Sequence, residues 1–126
     1  MDTKNVTICD DDATLTYILQ HILGKKKEFK VSVAANGEDG WLLIRDSHPV
    51  LLILDLDMPV KDGLAVLRDL KGMPPPRPYT IVLSANESRD TQDEAKSLGA
   101  DEVMSKPFKP SDLLAKVEKL MSEGKI

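Results

Sequence analysis

The sequence predicts a doubly wound α/β fold: a five-stranded parallel sheet with helices on both faces. Three observations predict it. Short apolar runs alternate five times with stretches of helical periodicity, the pattern of repeated βαβ units. One run, Val50–Leu54, is apolar at every position, as a central strand covered on both faces requires. Acidic residues, a serine or a lysine follow four of the runs, where the carboxyl ends of parallel strands form the ligand crevice of such sheets.

Taken in order, Val6–Cys9 is the first strand, and it stops at Asp10, Asp11 and Asp12. Leu15, Ile18, Leu19, Ile22 and Leu23 then recur at helical spacing, with Asp12 as the N-cap and Gly24 as the stop. Lys25, Lys26 and Lys27 read as a solvated turn that also suits the helix dipole. Lys30–Ala35 is the second strand, broken by Asn36 and Gly37. Glu38–Ser47 is the second helix, with Trp41 and Ile44 facing the core. The central strand Val50–Leu54 runs into Asp55, and a loop from Met58 to Gly63 leads to a third helix marked by Leu64, Leu67 and Leu70. The prolines 74, 75, 76 and 78 make a stiff loop before a fourth strand, Tyr79–Leu83. Glu87–Leu98 is helical by propensity but poor in apolar residues. With only Ala95 and Leu98 as anchors it should be loosely held. Gly99 ends it, Ala100–Met104 is the fifth strand, and Pro110 opens a last helix striped by Leu113, Leu114, Val117, Leu120 and Met121.

A chain of 126 residues fits one domain, with its core over about residues 4–122. At 41% hydrophobic and 30% charged, it reads as globular. A net charge of -4 gives no footprint for direct nucleic-acid binding. No signal-peptide pattern or membrane-length apolar run is present, so no membrane partner is expected. The lone Cys9 reads as a small buried residue, and one cysteine fits a reducing, cytoplasmic setting. His21 and His48 read as surface residues.

The chemistry follows from the strand ends. Asp10 and Asp11 follow the first strand, Asp55 and Asp57 the third, Ser84 the fourth and Lys106 the fifth, so the fold brings them to one edge of the sheet. Several carboxylates in one crevice repel, and one of them would hold its proton unless a cation were present. Hard oxygen ligands suit Mg²⁺, and a lysine adds positive charge for phosphoryl oxygens. An aspartate beside a divalent ion, a lysine and a hydroxyl has the parts to accept a phosphoryl group as a nucleophile.

These pieces resemble the receiver domain of two-component response regulators. The resemblance rests on Ile8-Cys9-Asp10-Asp11-Asp12, Leu54-Asp55-Leu56-Asp57-Met58-Pro59 with Asp62-Gly63, Val82-Leu83-Ser84-Ala85, and Gly99-Ala100-Asp101 leading to Lys106-Pro107-Phe108. Their ordered combination covers nearly the whole chain. The resemblance implies a flavodoxin-like sheet of order 2-1-3-4-5 and a signalling switch rather than an enzyme. It implies Asp55 as phosphoacceptor, with Ser84 and Lys106 gripping the phosphoryl group. Mg²⁺, with Mn²⁺ as a substitute, would be held by Asp11, Asp55 and the main-chain carbonyl of Asp57, with Asp10 supporting it. The donor would be a phosphohistidine on a histidine kinase or a histidine phosphotransfer domain. The responding surface would be the fourth helix, fifth strand and fifth helix, and the downstream target or output domain stays unassigned. The family commonly uses a cis bond before the proline at position 107.

Two departures stand out. Val103 occupies the position where the family often has an aromatic switch residue, and Asp57 and Asn86 occupy positions that in the family tune the phosphoryl lifetime. Two rival readings compete with this one. Asp55-Leu56-Asp57 resembles the DxD signature of haloacid-dehalogenase-type phosphatases, but it follows the third strand and leaves Asp10 and Asp11 unexplained. A pseudo-receiver that never takes phosphate conflicts with the intact set Asp10, Asp11, Asp55, Ser84 and Lys106, and only Val103 favours it.

Overall fold

The computed structural model describes residues 3–85 and 88–126. Five strands and five helices alternate: β1 (Lys4–Cys9), α1 (Ala13–Gly24), β2 (Phe29–Ala34), α2 (Gly37–Ser47), β3 (Leu51–Asp55), α3 (Gly63–Lys71), β4 (Tyr79–Ser84), α4 (Arg89–Ser97), β5 (Glu102–Ser105) and α5 (Pro110–Ser122). The strands form one parallel sheet in the order β2-β1-β3-β4-β5, as expected. Among the described residues no helix is long and apolar enough to cross a membrane.

The alternation of side chains along each strand divides the core in two. Val6, Ile8, Leu51, Ile53, Ile81 and Leu83 pack with α1 and α5 on one face. Cys9, Leu52, Leu54 and Val82 pack with α2, α3 and α4 on the other. All five residues of β3 are buried, which explains why its sequence lacks polar alternation.

The helix boundaries follow from local chemistry. Asp12 caps α1 by accepting from the Thr14 and Leu15 amides. Asn36 caps α2 through the Asp39 amide, and Asp62 caps α3 through that of Ala65. Gly24 is the last residue of α1 and not a left-handed stop. The helix ends instead through Lys25, in the right-handed region, and Lys26, whose amide donates to Leu23. Ile18 lies at the edge of the predicted stripe and is 37% exposed. Trp41 is half-buried and Ile44 fully buried, as expected of α2. Gly99, at φ +110, does end α4 in the conformation that glycine favours. The regular helix α4 starts at Arg89, two residues after the predicted Glu87. Glu87 and Asn86 lie outside the described residues. Only Ala95 of α4 is buried, which matches the expectation of a thinly anchored helix.

Candidate functional site

The carboxyl ends of β1, β3, β4 and β5 converge on one crevice. Asp10 follows β1 and is 1% exposed, and Asp55 ends β3 at 2%. Ser84 ends β4 and is buried. Asp11 sits beside Asp10 but faces solvent. One carboxylate oxygen from each of Asp10, Asp11 and Asp55 can be chosen so that all three lie within 4.8 Å of one another.

Lys106 reaches into this cluster from the end of β5. Its Nζ donates to Asp10 Oδ2 at 2.9 Å and stands 3.5 Å from Asp55 Oδ1. Its own amide donates to the Ser84 carbonyl at 2.8 Å, which ties the lysine to the end of β4. The Lys106–Pro107 bond is cis.

Backbone groups hold the carboxylates. The Asp12 amide donates to Asp10 Oδ1 at 2.9 Å, and the Asp57 amide to Asp55 Oδ1 at 3.2 Å. The Asp57 side chain is exposed and takes no place in the three-carboxylate cluster. Val103, at the position of the family's aromatic switch, is half-buried against the core on the α4 side of the sheet.

The electrostatics bear the strain that three close acids imply. Burial, and then the charge of Asp10, push the Asp55 carboxyl up to about 6. The Asp57 amide and Lys106 only partly offset this. The Lys106 ammonium is held above its ordinary value: burial opposes its charge, but the bond to Asp10 and the attraction of Asp10 and Asp55 outweigh it. Burial foremost, with the nearby carboxylates, pushes the Cys9 thiol up to about 12, in keeping with an inert core residue.

Two clefts flank the crevice. One, of about 420 Å³, is lined by Leu56, Asp57, Met58, Asp62, Leu64 and Thr91. The other, of about 350 Å³, is lined by Asp12, Leu15, Ala85, Lys106, Pro107 and Phe108. Asp57 on one side and Lys106 on the other border these clefts, and the Asp55 carboxylate itself stays buried. The donor set is hard, anionic and rich in oxygen, and it fits a small divalent cation such as Mg²⁺.

The model of the response regulator receiver domain family matches residues 6–118. The chain belongs to that family. It is 32% identical over 121 residues to the transcriptional regulatory protein PrrA of Mycobacterium leprae, an alignment covering 96% of this chain. The chain spans only 51% of that relative's length. Among solved structures, a response regulator receiver domain protein from Methanospirillum hungatei superposes with a TM-score of 0.87 at 25% identity, covering 97% of this chain and 96% of that one. The signal receiver domain of a signal transduction histidine kinase from Syntrophus aciditrophicus gives a TM-score of 0.79 at 28% identity, covering 96% and 92%. The chain is therefore a receiver module of two-component signalling, and the family functions as a signalling switch. This membership counts against the phosphatase reading of Asp55-Leu56-Asp57.

One residue that no motif marks also bears on the site: Lys61, on the loop that carries Asp57, sets its ammonium 5.5 Å from the centre of the Trp41 ring and its backbone against Gly37.

Proposed function

We propose that this receiver accepts a phosphoryl group on Asp55 from a phosphohistidine of a histidine kinase or histidine phosphotransfer domain. The observation that carries this reading is the convergence at Asp55. A buried carboxylate pushed up to about 6 has Lys106 at 3.5 Å and two further aspartates close enough to share a cation.

Asp10, Asp11 and Asp55, with the main-chain carbonyl of Asp57, would hold Mg²⁺ or, in its place, Mn²⁺. The bound cation would supply charge neutralisation for the carboxylates and for the incoming phosphoryl oxygens. In the transfer, an Asp55 carboxylate oxygen attacks phosphorus. The new O–P bond forms as the N–P bond to the donor imidazole breaks, and the imidazole leaves and takes up a proton. Lys106, held by Asp10, offers its ammonium to the transferred oxygens, and Ser84 offers a hydroxyl at the end of β4. The protein's contribution is positioning and preorganised charge.

The output is a two-state switch at α4, β5 and α5. Its support is the thin anchoring of α4, whose one buried side chain is Ala95. The α4 helix is tied to α3 by the Arg68–Glu94 pair at 3.0 Å, between half-exposed partners, and such surface pairs are worth about 0–1 kcal/mol. Residues 1–126 would act as one receiver unit in the cytoplasm. Identical amide exchange in α4 with and without a phosphoryl mimic would contradict the switch.

The test of phosphoryl acceptance is intact mass after incubation with a small acyl-phosphate donor and Mg²⁺. One metal-dependent adduct on the wild type and none on Asp55→Asn is the expected result. Neither adduct nor released phosphate would favour a pseudo-receiver.

A further inference from the structure

The loop from Asp57 to Asp62 leaves the sheet and returns to it. It is pinched at its base, where the Leu56 amide donates to Leu83 O and the Gly63 amide to Leu56 O. Its inner limb is anchored by Met58, 9% exposed, with Sδ 3.4 Å from the Cys9 thiol. Its outer limb, Pro59 to Asp62, carries Val60 at φ 68 and 85% exposed, so no core packing holds that limb at Val60.

Lys61 supplies the missing anchor through three separate contacts. Its Nζ lies 5.5 Å from the centre of the Trp41 ring on α2, within range of a cation–π attraction. The same ammonium pairs with the Asp69 carboxylate on α3. Its backbone lies against Gly37 at the start of α2, so closely that a Cβ there would collide with the Lys61 carbonyl oxygen. The Lys61 side chain is 19% exposed, well covered for a loop lysine.

We propose that Lys61 is a positioning residue, which clamps the outer limb of this loop between α2 and α3 and so holds the Asp57 main chain in place for the divalent cation. The inference rests on the reading of the crevice as a Mg²⁺ site. Lys61 touches neither the cation nor the phosphoryl group. It acts through the loop, as partners behind a ligand set orient the ligands themselves.

The charge of Lys61 makes the test decisive, because the two accounts differ in sign. A lysine near an acidic crevice repels Mg²⁺, so removing its charge would by itself tighten binding. The clamp predicts the opposite. Lys61→Met, which keeps the aliphatic stem, should weaken Mg²⁺ binding measured by calorimetry by about tenfold. Lys61→Arg, which keeps the charge, the ring contact and the pair with Asp69, should restore it. Gly37→Ala alters no charge and pushes directly on the Lys61 backbone, so it should weaken Mg²⁺ in the same way. In metal-free protein, the amides of residues 57, 58 and 60–62 should exchange faster in Lys61→Met than in wild type. If Lys61→Met binds Mg²⁺ as tightly as wild type or more tightly, or if its loop exchange is unchanged, the clamp is overturned while the metal site stands. If the wild type takes no Mg²⁺, the reading of the crevice fails, and this inference fails with it.

Discussion

Replacing Asp55 by Asn should stabilise the metal-free protein near neutral pH. Asp55 is 2% exposed, and burial together with Asp10 raises its carboxyl from an ordinary 3.8 to about 6. A carboxyl whose folded value is raised contributes stability that is fully present below the unfolded value and is lost as pH rises through the folded one. Near neutral pH the folded chain therefore carries the cost of an ionised Asp55, whereas Asn is neutral throughout. A rise from 3.8 to about 6 is worth at most about 3 kcal/mol. Lys106 keeps its 2.9 Å bond to Asp10 in the variant, so no cation is stranded. The assay is urea unfolding in chelator across the acid-to-neutral range. The gain should be full near neutral pH and vanish below about pH 4. Mg²⁺ should then raise the stability of the wild type more than that of the variant and close the gap. Equal stabilities at neutral pH, or a difference that does not move with pH, would refute the electrostatic account of the crevice.

Other perturbations follow from single residues. Thr7 is fully buried in β1 and among the described residues its hydroxyl has no hydrogen-bond partner, so Thr7→Val should add about 1 kcal/mol in denaturant unfolding. Val60 is a β-branched residue at positive φ with no burial to lose. Val60→Gly should therefore be stabilising by up to about 1 kcal/mol, and a loss of stability would show that the side chain is anchored. The Cys9 thiol, fully buried and pushed up to about 12, should resist a neutral maleimide in native buffer and react fully in denaturant. Rapid native labelling would contradict its packing against Met58.

The fold was legible because its signals are one-dimensional. The apolar run into Asp55 reports burial on both faces, and polar residues placed just after apolar runs report the crevice from their positions in the chain alone. Asp12 as a cap needed only its own neighbours. What escaped the sequence depends on distant partners. Lys106 bonds most closely to Asp10, 96 residues away, and not to Asp55, a choice made by the geometry of strand ends. Lys61 reads as one more loop lysine until the fold sets Trp41 and Asp69 on either side of it. Ile18 fits the periodicity of α1 yet stays partly exposed, because the neighbouring elements cover less than the full stripe. The Thr7 hydroxyl was invisible for the same reason, since β propensity does not report whether a hydroxyl finds a partner.

The most direct test of phosphoryl acceptance is the position of the bond. After phosphorylation by a small acyl-phosphate donor with Mg²⁺, borohydride reduces an aspartyl phosphate to homoserine, and peptide mapping then identifies the reduced residue. Homoserine at position 55, formed only with donor and metal, is the predicted result. Reduction at Asp10, Asp11 or Asp57 instead, or none anywhere in a protein that carries the adduct, would contradict the assignment of Asp55 as the acceptor.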